Sequence, residues 1–510
     1  MLALAFLAAL VAAVAGPAGG CARRSGPTWP ADNSLTVAID APPLHLDPRV
    51  GTDAASSDAS DLLMHGLLGT DAAGELVPRL AARWETLDGG RRLRFHLRSG
   101  VRFHDGRRLG AADVAWTFNS IVDGTVATAK RAAFAALDRV EVVDPLTVDF
   151  HLHEPAASFP VELTLGVVPD GVLPAAMAEH PVGTGPFRFV SRGPDRLVLA
   201  AFEECFAGRP RLDRLVLDVV PDTTVRVLEL LDGSVQLVVN DLPPDLVPRF
   251  RADPAYQVVE GPSTDSAYLG FNLRDPALAD LRVRRAIAHA IDRERLVATL
   301  WRGLGAVTDT LLPPGNWARA EDLPTIPHDP AEARRLLAEA GHERLRLTLK
   351  TSTTETYLLQ AQVIQAMLAD VGIDLEVRAL EFATFYEDVK RGNFQLFTLV
   401  RTGVLDPHIY HLALHSQSTP PTGHNRGFWS NPRFDALIDR AARLPERERR
   451  RPLYVEAQHI VARELPYVSL YTKWNVAVMP AELAGYENHL RGPFLALPQV
   501  WWNRPGPAAP

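Results

Sequence analysis

The sequence predicts an α/β fold divided into more than one lobe, and two observations carry that expectation. Between residues 329 and 377 the apolar spacing runs helix, strand, helix, strand, the order of helices laid over parallel strands. The chain has 510 residues, too many for one compact core and enough for two or three lobes of about 100–200 residues each. Apolar residues make up 47% of a chain with an ordinary charge content, which marks it as globular, and no short-period repeat suggests a solenoid or propeller.

Taken in order, residues 1–20 are apolar and uncharged, with Ala18, Gly19 and Gly20 leading into Cys21 and then Arg23 and Arg24. That order reads as an export signal peptide to be cleaved. A retained span would need about 20 strongly apolar residues rather than this Ala- and Gly-rich run. Residues 21–33, rich in Arg, Gly, Pro and Ser, read as a flexible tether. The folded part opens on a strand near Leu35–Ile39. Leu93, Phe95 and Leu97 alternate with Arg92, Arg94, His96 and Arg98 in a half-buried strand within residues 93–103, and Asp105-Gly106 makes a turn. A short amphipathic helix over Asp113–Ile121 and an alternating run over Leu146–Leu152 complete a mixed α+β region.

Further on, Val283, Ala286, Ile287, Ala290 and Ile291 fall at helical spacing. A second helix has its end signals in place: Asp329 as cap, Pro330 in the first turn, Glu332 to complete a capping box, and Gly341 to stop it. Leu345, Leu347 and Leu349 then alternate as a strand, Leu359–Ala369 reads as a helix closed by Gly372, and Ile373, Leu375 and Val377 form another strand.

The formal net charge of −8 survives removal of residues 1–20 and argues against nucleic acid as a partner. No nucleophile elbow, zinc-protease motif, phosphate loop or dinucleotide fingerprint is present, so no catalytic residue and no cofactor is assigned. The chain has two cysteines. Cys21, at the edge of a cleaved signal, would be a poor disulfide staple, and Cys205 reads as an inert thiol.

Several segments in a fixed order carry a resemblance: Pro78-Arg79-Leu80-Ala81 with Trp84; Leu97 through Gly106, then Leu109 and Ala112-Asp113-Val114; Pro181 through Phe187; Tyr268-Leu269-Gly270-Phe271-Asn272; Arg282 through Ile287; Ala340-Gly341 with Val371-Gly372-Ile373; and Tyr454, Gln458 and Leu465-Pro466-Tyr467. In these the chain resembles the extracellular solute-binding proteins of the peptide and nickel class, which serve ABC importers. The resemblance implies a two-lobed periplasmic-binding-protein fold with a hinge and an extra N-terminal α+β subdomain. Lobe one would take residues 32–268 and 476–510, with an inserted subdomain at about 53–168, and lobe two residues 269–475. It implies a monomeric receptor that hands a peptide or similar small solute to permease and ATPase subunits. Ala18-Gly19-Gly20-Cys21 is similar to a bacterial lipobox, although Ala18 stands where Leu is usual and no positive charge precedes the apolar run. Cys21 would carry the lipid, leaving Cys205 without a disulfide partner and the protein anchored to a membrane outside the cytoplasm.

By the same resemblance Gly183, Gly185, Tyr268, Asn272, Arg401 and Asp406 are the ligand-site candidates. Gly183 and Gly185 could admit a ligand main chain, or could form a tight turn before a strand at Phe187. Asn272 lies where the chain crosses between lobes in the family, and could bond a ligand backbone or its own. Relatives often carry an acid shortly before Asp-Pro that pairs with a peptide's α-ammonium. Here Val400-Arg401-Thr402-Gly403-Val404-Leu405 precedes Asp406-Pro407, without one. Arg401 could anchor a carboxylate instead, and Asp406 orders its own turn. His408, His411 and His415 follow at spacings that suit a metal, but with no cysteine or further carboxylate adjacent they read as polar surface histidines, and no metal ligand is assigned. A nickel- or metal-chelate receptor, and a peptide-sensing or chaperone lipoprotein without a transport role, are the alternatives.

Overall fold

The computed structural model describes residues 29–30, 32–421 and 423–504. The expected signal peptide, Cys21 and most of the tether lie outside the described residues. No helix among the described residues is long and apolar enough to cross a membrane.

A sheet of eleven strands runs through the molecule. Its order is Ile373–Leu380, Leu345–Ser352, Leu396–Arg401, Tyr256–Phe271, Tyr467–Pro480, Leu237–Val239, Ser34–Ile39, Arg214–Val219, Arg196–Ala201 and Phe187–Arg192, with Gly305–Val307 paired to the side of Tyr467–Pro480. The two central strands are antiparallel and belong to two cores at once. Tyr256 packs with Val238, Phe250 and Val478, whereas Ala267, Leu269 and Phe271 pack with Val283, Ile287, Leu349 and Ile364. Their register shifts between Pro262 and Ser266, where the chain passes from one core to the other. Proline cannot donate a ladder hydrogen bond, and an irregular register bends a strand pair there. This pair is the hinge.

Beyond the hinge, the alternation read from the sequence yields the layer it predicts. Leu345–Ser352 and Ile373–Leu380 pair in parallel over their full length. Asp329 accepts hydrogen bonds at 3.0 Å from the amides of Ala331 and Glu332 and so caps the helix Pro330–Glu339. Gly341 and Gly372 follow helices with φ of 84° and 92°, the left-handed conformation that favours glycine. The helix Leu281–Ala290 buries Val283, Ala286, Ile287 and Ala290. It also buries Arg284, whose guanidinium donates to the carbonyl oxygens of Leu278, Ala279, Glu464 and Leu465. That arginine ties the helix to the start of the second hinge strand.

The N-terminal subdomain is an antiparallel sheet in the order Ala81–Leu87, Arg92–Leu97, Thr147–Leu152, Leu137–Asp144, backed by the helix Ala111–Val122. Phe95, Phe118 and Phe150 meet in its core. The alternating strand ends at Leu97, before residue 103, because the chain turns at Gly100, whose φ is 79°. Asp113 sits in the first turn of the helix and accepts hydrogen bonds from the amides of Gly110 and Asp170 at 2.8 and 2.9 Å.

Candidate functional site

In an open α/β sheet, ligands bind outside the carboxyl ends of parallel strands, where backbone groups and side chains are left unpartnered. Two such edges exist here. Ser34–Ile39 is parallel to Arg214–Val219 and Leu237–Val239, and its edge carries Asp40 and Asp241. Leu345–Ser352 is parallel to Leu396–Arg401, and its edge carries Ser352 and Arg401. The hinge strands run between these edges.

Arg401 is held by register. It lies opposite Ser266, and Tyr268 lies two residues further along the same face of the first hinge strand. Its guanidinium stacks 4.6 Å above the Tyr268 ring, an arrangement that favours a cation. Among the described residues no carboxylate forms an ion pair with it, and its buried Nε has no hydrogen-bond partner; nor does the buried Ser266 hydroxyl. Tyr268 itself is fixed: its hydroxyl accepts from Arg426 at 3.2 Å, and its ring meets Phe397 and Tyr467 edge-on. Burial, followed by the neighbouring Tyr410, pushes the Tyr467 hydroxyl well above the usual tyrosine range, so it stays protonated.

The opposite sign gathers at the other edge and along the hinge. Asp58, on the helix Ala54–Leu63, is pushed up to about 7 by burial, with the charges of Asp61, Asp241 and Asp40 adding to the effect and Arg491 opposing it. Burial likewise raises Asp241 against Arg226 and Lys473, and Asp265, on the first hinge strand, against Lys473 alone. Burial, not a hydrogen bond, dominates each of the three. A carboxylate partly withdrawn from water favours either a proton or an incoming cation.

The remaining sequence candidates are placed elsewhere. Asn272 is buried and satisfied by its own chain: Nδ2 donates to the carbonyl oxygens of Phe394 and Gly392 at 2.8 and 3.2 Å, and Oδ1 accepts from Arg274. Asp406 orders its turn by accepting from the His408 amide at 2.8 Å. It also lines a cavity of about 220 Å³ with Trp84, Val161, Arg447 and Arg450, between the N-terminal subdomain and lobe two. Gly183 and Gly185 press on the end of the helix Ala54–Leu63, where a Cβ would stand 2.1 Å from the Leu63 carbonyl oxygen and 2.2 Å from its carbonyl carbon. His104 clasps the same turn. Its Nδ1 accepts from the Gly183 amide at 3.2 Å, and its Nε2 lies 3.1 Å from the Gly185 carbonyl oxygen. The close approach at these glycines is thus by the chain itself. Of the six candidates, Gly183 and Gly185 share a packed turn, and Tyr268 and Arg401 come together at the strand edge.

His415 is not the surface histidine its spacing suggested: it is 3% exposed. The Cys205 thiol is buried too, and burial pushes it up.

Sequence reasoning missed Asp58, Asp241, Asp265 and Ser266. No local motif marks them, since only the fold brings Asp58 near Asp241 and sets Asp265 on the hinge strand.

Comparison with known proteins agrees with this architecture. The family model described as bacterial extracellular solute-binding proteins, family 5, middle, matches residues 75–420. A probable di/tripeptide-binding protein 5 of Pseudomonas aeruginosa is 30% identical, over 89% of this chain and 93% of its own. Heme-binding protein A of Haemophilus influenzae is 28% identical, over 89% of this chain and 90% of its own. The structure of HbpA2 from Haemophilus parasuis superposes with a TM-score of 0.82 at 25% identity, covering 92% of this chain and 99% of that one. Two lobes, a two-stranded hinge, charged strand edges between them and a family match over most of the length lead to one conclusion: the chain belongs to the bacterial extracellular solute-binding proteins of family 5.

Proposed function

We propose that this protein is the extracytoplasmic receptor of an ABC importer and that its solute is a peptide or another small zwitterion. The observation that carries the reading is the division of charge. Arg401, stacked on Tyr268 and without a carboxylate partner, faces the solute as a carboxylate anchor. Asp58, Asp241 and Asp265, half-buried and held above the usual carboxylate range by loss of water, supply the complement for an ammonium group. Asp265 then does the work of the acid missing before Asp406. A ligand that touches both lobes favours the closed arrangement by the difference in its contacts, which is what a permease can read. The di/tripeptide-binding relative supports peptide as the cargo.

The finer features belong to the same proposal. Residues 1–20 direct export and Cys21 carries the lipid. Residues 32–268 with 476–510 make lobe one, including the subdomain at about 53–168, and 269–475 make lobe two. The receptor acts as a monomer and leaves its cargo chemically unchanged.

The test is native mass spectrometry of residues 22–510, followed by denaturation and identification of what is released. A mixture of short peptides is the expected result. A nickel chelate, a haem or a single non-peptide solute would overturn the peptide assignment.

A further inference from the structure

We propose that lobe two holds a divalent transition-metal ion of the zinc, nickel or copper type through His411, His415 and Asp439. The site uses none of the residues assigned to the solute.

The helix Ile409–Leu414 and its flanking residues face the helix Pro432–Arg443. Each contributes a pair of side chains four residues apart, and so on one face: His411 and His415 from the first, Asp435 and Asp439 from the second. One ligand atom each from His411, His415 and Asp439 lies within 4.8 Å of the other two. The His415 Nε2 is 3.3 Å from Asp439 Oδ1 and 3.8 Å from Asp435 Oδ1, and the His411 Nε2 is 4.0 Å from Asp439 Oδ1. Bonds of about 2.0–2.2 Å to a tetrahedral ion put ligand atoms roughly 3.3–3.5 Å apart. The His415–Asp439 separation already fits, and the His411–Asp439 separation closes with a small rotation of Asp439, whose side chain is half-exposed.

A second observation points to a ligand independently. His415 is buried, yet its Nε2 has no hydrogen-bond partner although it is aimed at two carboxylates. Asp435 is oriented from outside, by the Ser416 amide at 3.1 Å and the Ser416 hydroxyl at 2.6 Å. His408 stacks on His411 at 5.1 Å and His411 on His415 at 4.5 Å, which fixes the ring planes. The His415 Nδ1 now accepts from the Gln417 amide at 3.2 Å. Coordination through Nε2 moves the ring proton to Nδ1 and opens that one hydrogen bond. Two imidazoles with a carboxylate select zinc, nickel or copper over magnesium and calcium, which demand oxygen ligands.

The test is calorimetric titration of EDTA-treated residues 22–510 with zinc, nickel and copper salts, with thermal unfolding in parallel. The expected result is one equivalent bound with a Kd of about 10 μM or tighter and a rise in Tm of several degrees. Magnesium and calcium should have no effect, and saturating peptide should not displace the metal. Asp439→Asn and His411→Gln, both on partly exposed side chains and so compatible with folding, should each weaken binding at least tenfold and leave peptide affinity unchanged. Absence of binding, binding unaffected by both variants, or displacement by peptide would overturn the site.

Discussion

Arg401 shows how a single residue can be left incomplete by its own fold. A cation half-withdrawn from water over an aromatic ring, with its Nε unpartnered, has a solvation deficit that an anion removes. Arg401→Gln should therefore weaken binding of a peptide with a free C-terminus by about 10–100-fold, the range of one charge-assisted hydrogen-bonded contact. The C-terminal amide of the same peptide should bind the native protein and the variant with similar weak affinity. Equal binding of acid and amide by the native protein, measured calorimetrically, would remove Arg401 from the site. Gly185 makes a different kind of point, because its lack of a side chain serves packing. An alanine there would drive its Cβ to 2.2 Å from the Leu63 carbonyl carbon. Gly185→Ala should cost about 3 kcal/mol or more in urea unfolding, and an unchanged midpoint would show that the helix end yields.

At the scale of elements, the cap of Pro330–Glu339 offers a clean measurement. Asp329 holds two amides through one carboxylate oxygen, so Asp329→Ala should lower stability by about 1 kcal/mol with no change in solute affinity. A loss of affinity instead would mean that this helix senses the site. The same helix shows what the sequence makes legible. Caps, stops and 3.6-residue spacing are local signals, and Asp329, Glu332, Gly341 and Gly372 all sit within a few residues of the elements they end. The helix Glu355–Ala369 begins four residues before Leu359, the start read from the sequence, because its first two residues, Glu355 and Thr356, are polar and give no apolar signal. The hinge strands were legible only as segments of the family resemblance. From Ala267 to Phe271 every residue is buried, so no alternation survives, and Gly261 and Pro262 interrupt the rest. The candidate site follows the same logic. Arg401 and Tyr268 stand in recognisable segments, but the pairing of Ser266 with Arg401 exists only in the register of two strands, across 135 positions of sequence, and Asp58, Asp241 and Asp265 carry no local signature.

Across the whole molecule, the N-terminal subdomain closes on lobe two. The Ala157 amide donates to the Ala442 carbonyl oxygen at 2.9 Å, and Arg447 pairs with Glu75. Glu162 is caught in this contact and is pushed up to about 7, first by burial and then by the negative charge of Asp406. In an open arrangement its carboxyl would return towards the ordinary value of 4.5. An acid whose pKa is raised in the closed form makes closure cheapest when it is protonated. The penalty therefore grows as pH rises from that ordinary value through about 7 and is constant above it. Because Asp58 titrates over the same window with the opposite sign, the test is a comparison: between pH 5 and pH 8 the native affinity should fall severalfold relative to that of Glu162→Gln, and parallel profiles of the two proteins would rule out this coupling. The strand Tyr467–Pro480 has a further consequence, which concerns the making of the protein. It lies between Tyr256–Phe271 and Leu237–Val239, where Val478 pairs with Val238 across 240 positions of sequence. Until that late stretch leaves the ribosome, the two halves of the sheet have no shared neighbour and both keep an open edge. Contacts so distant in sequence form slowly, so the sheet is the last part of the fold to be completed, and neither half can finish it alone.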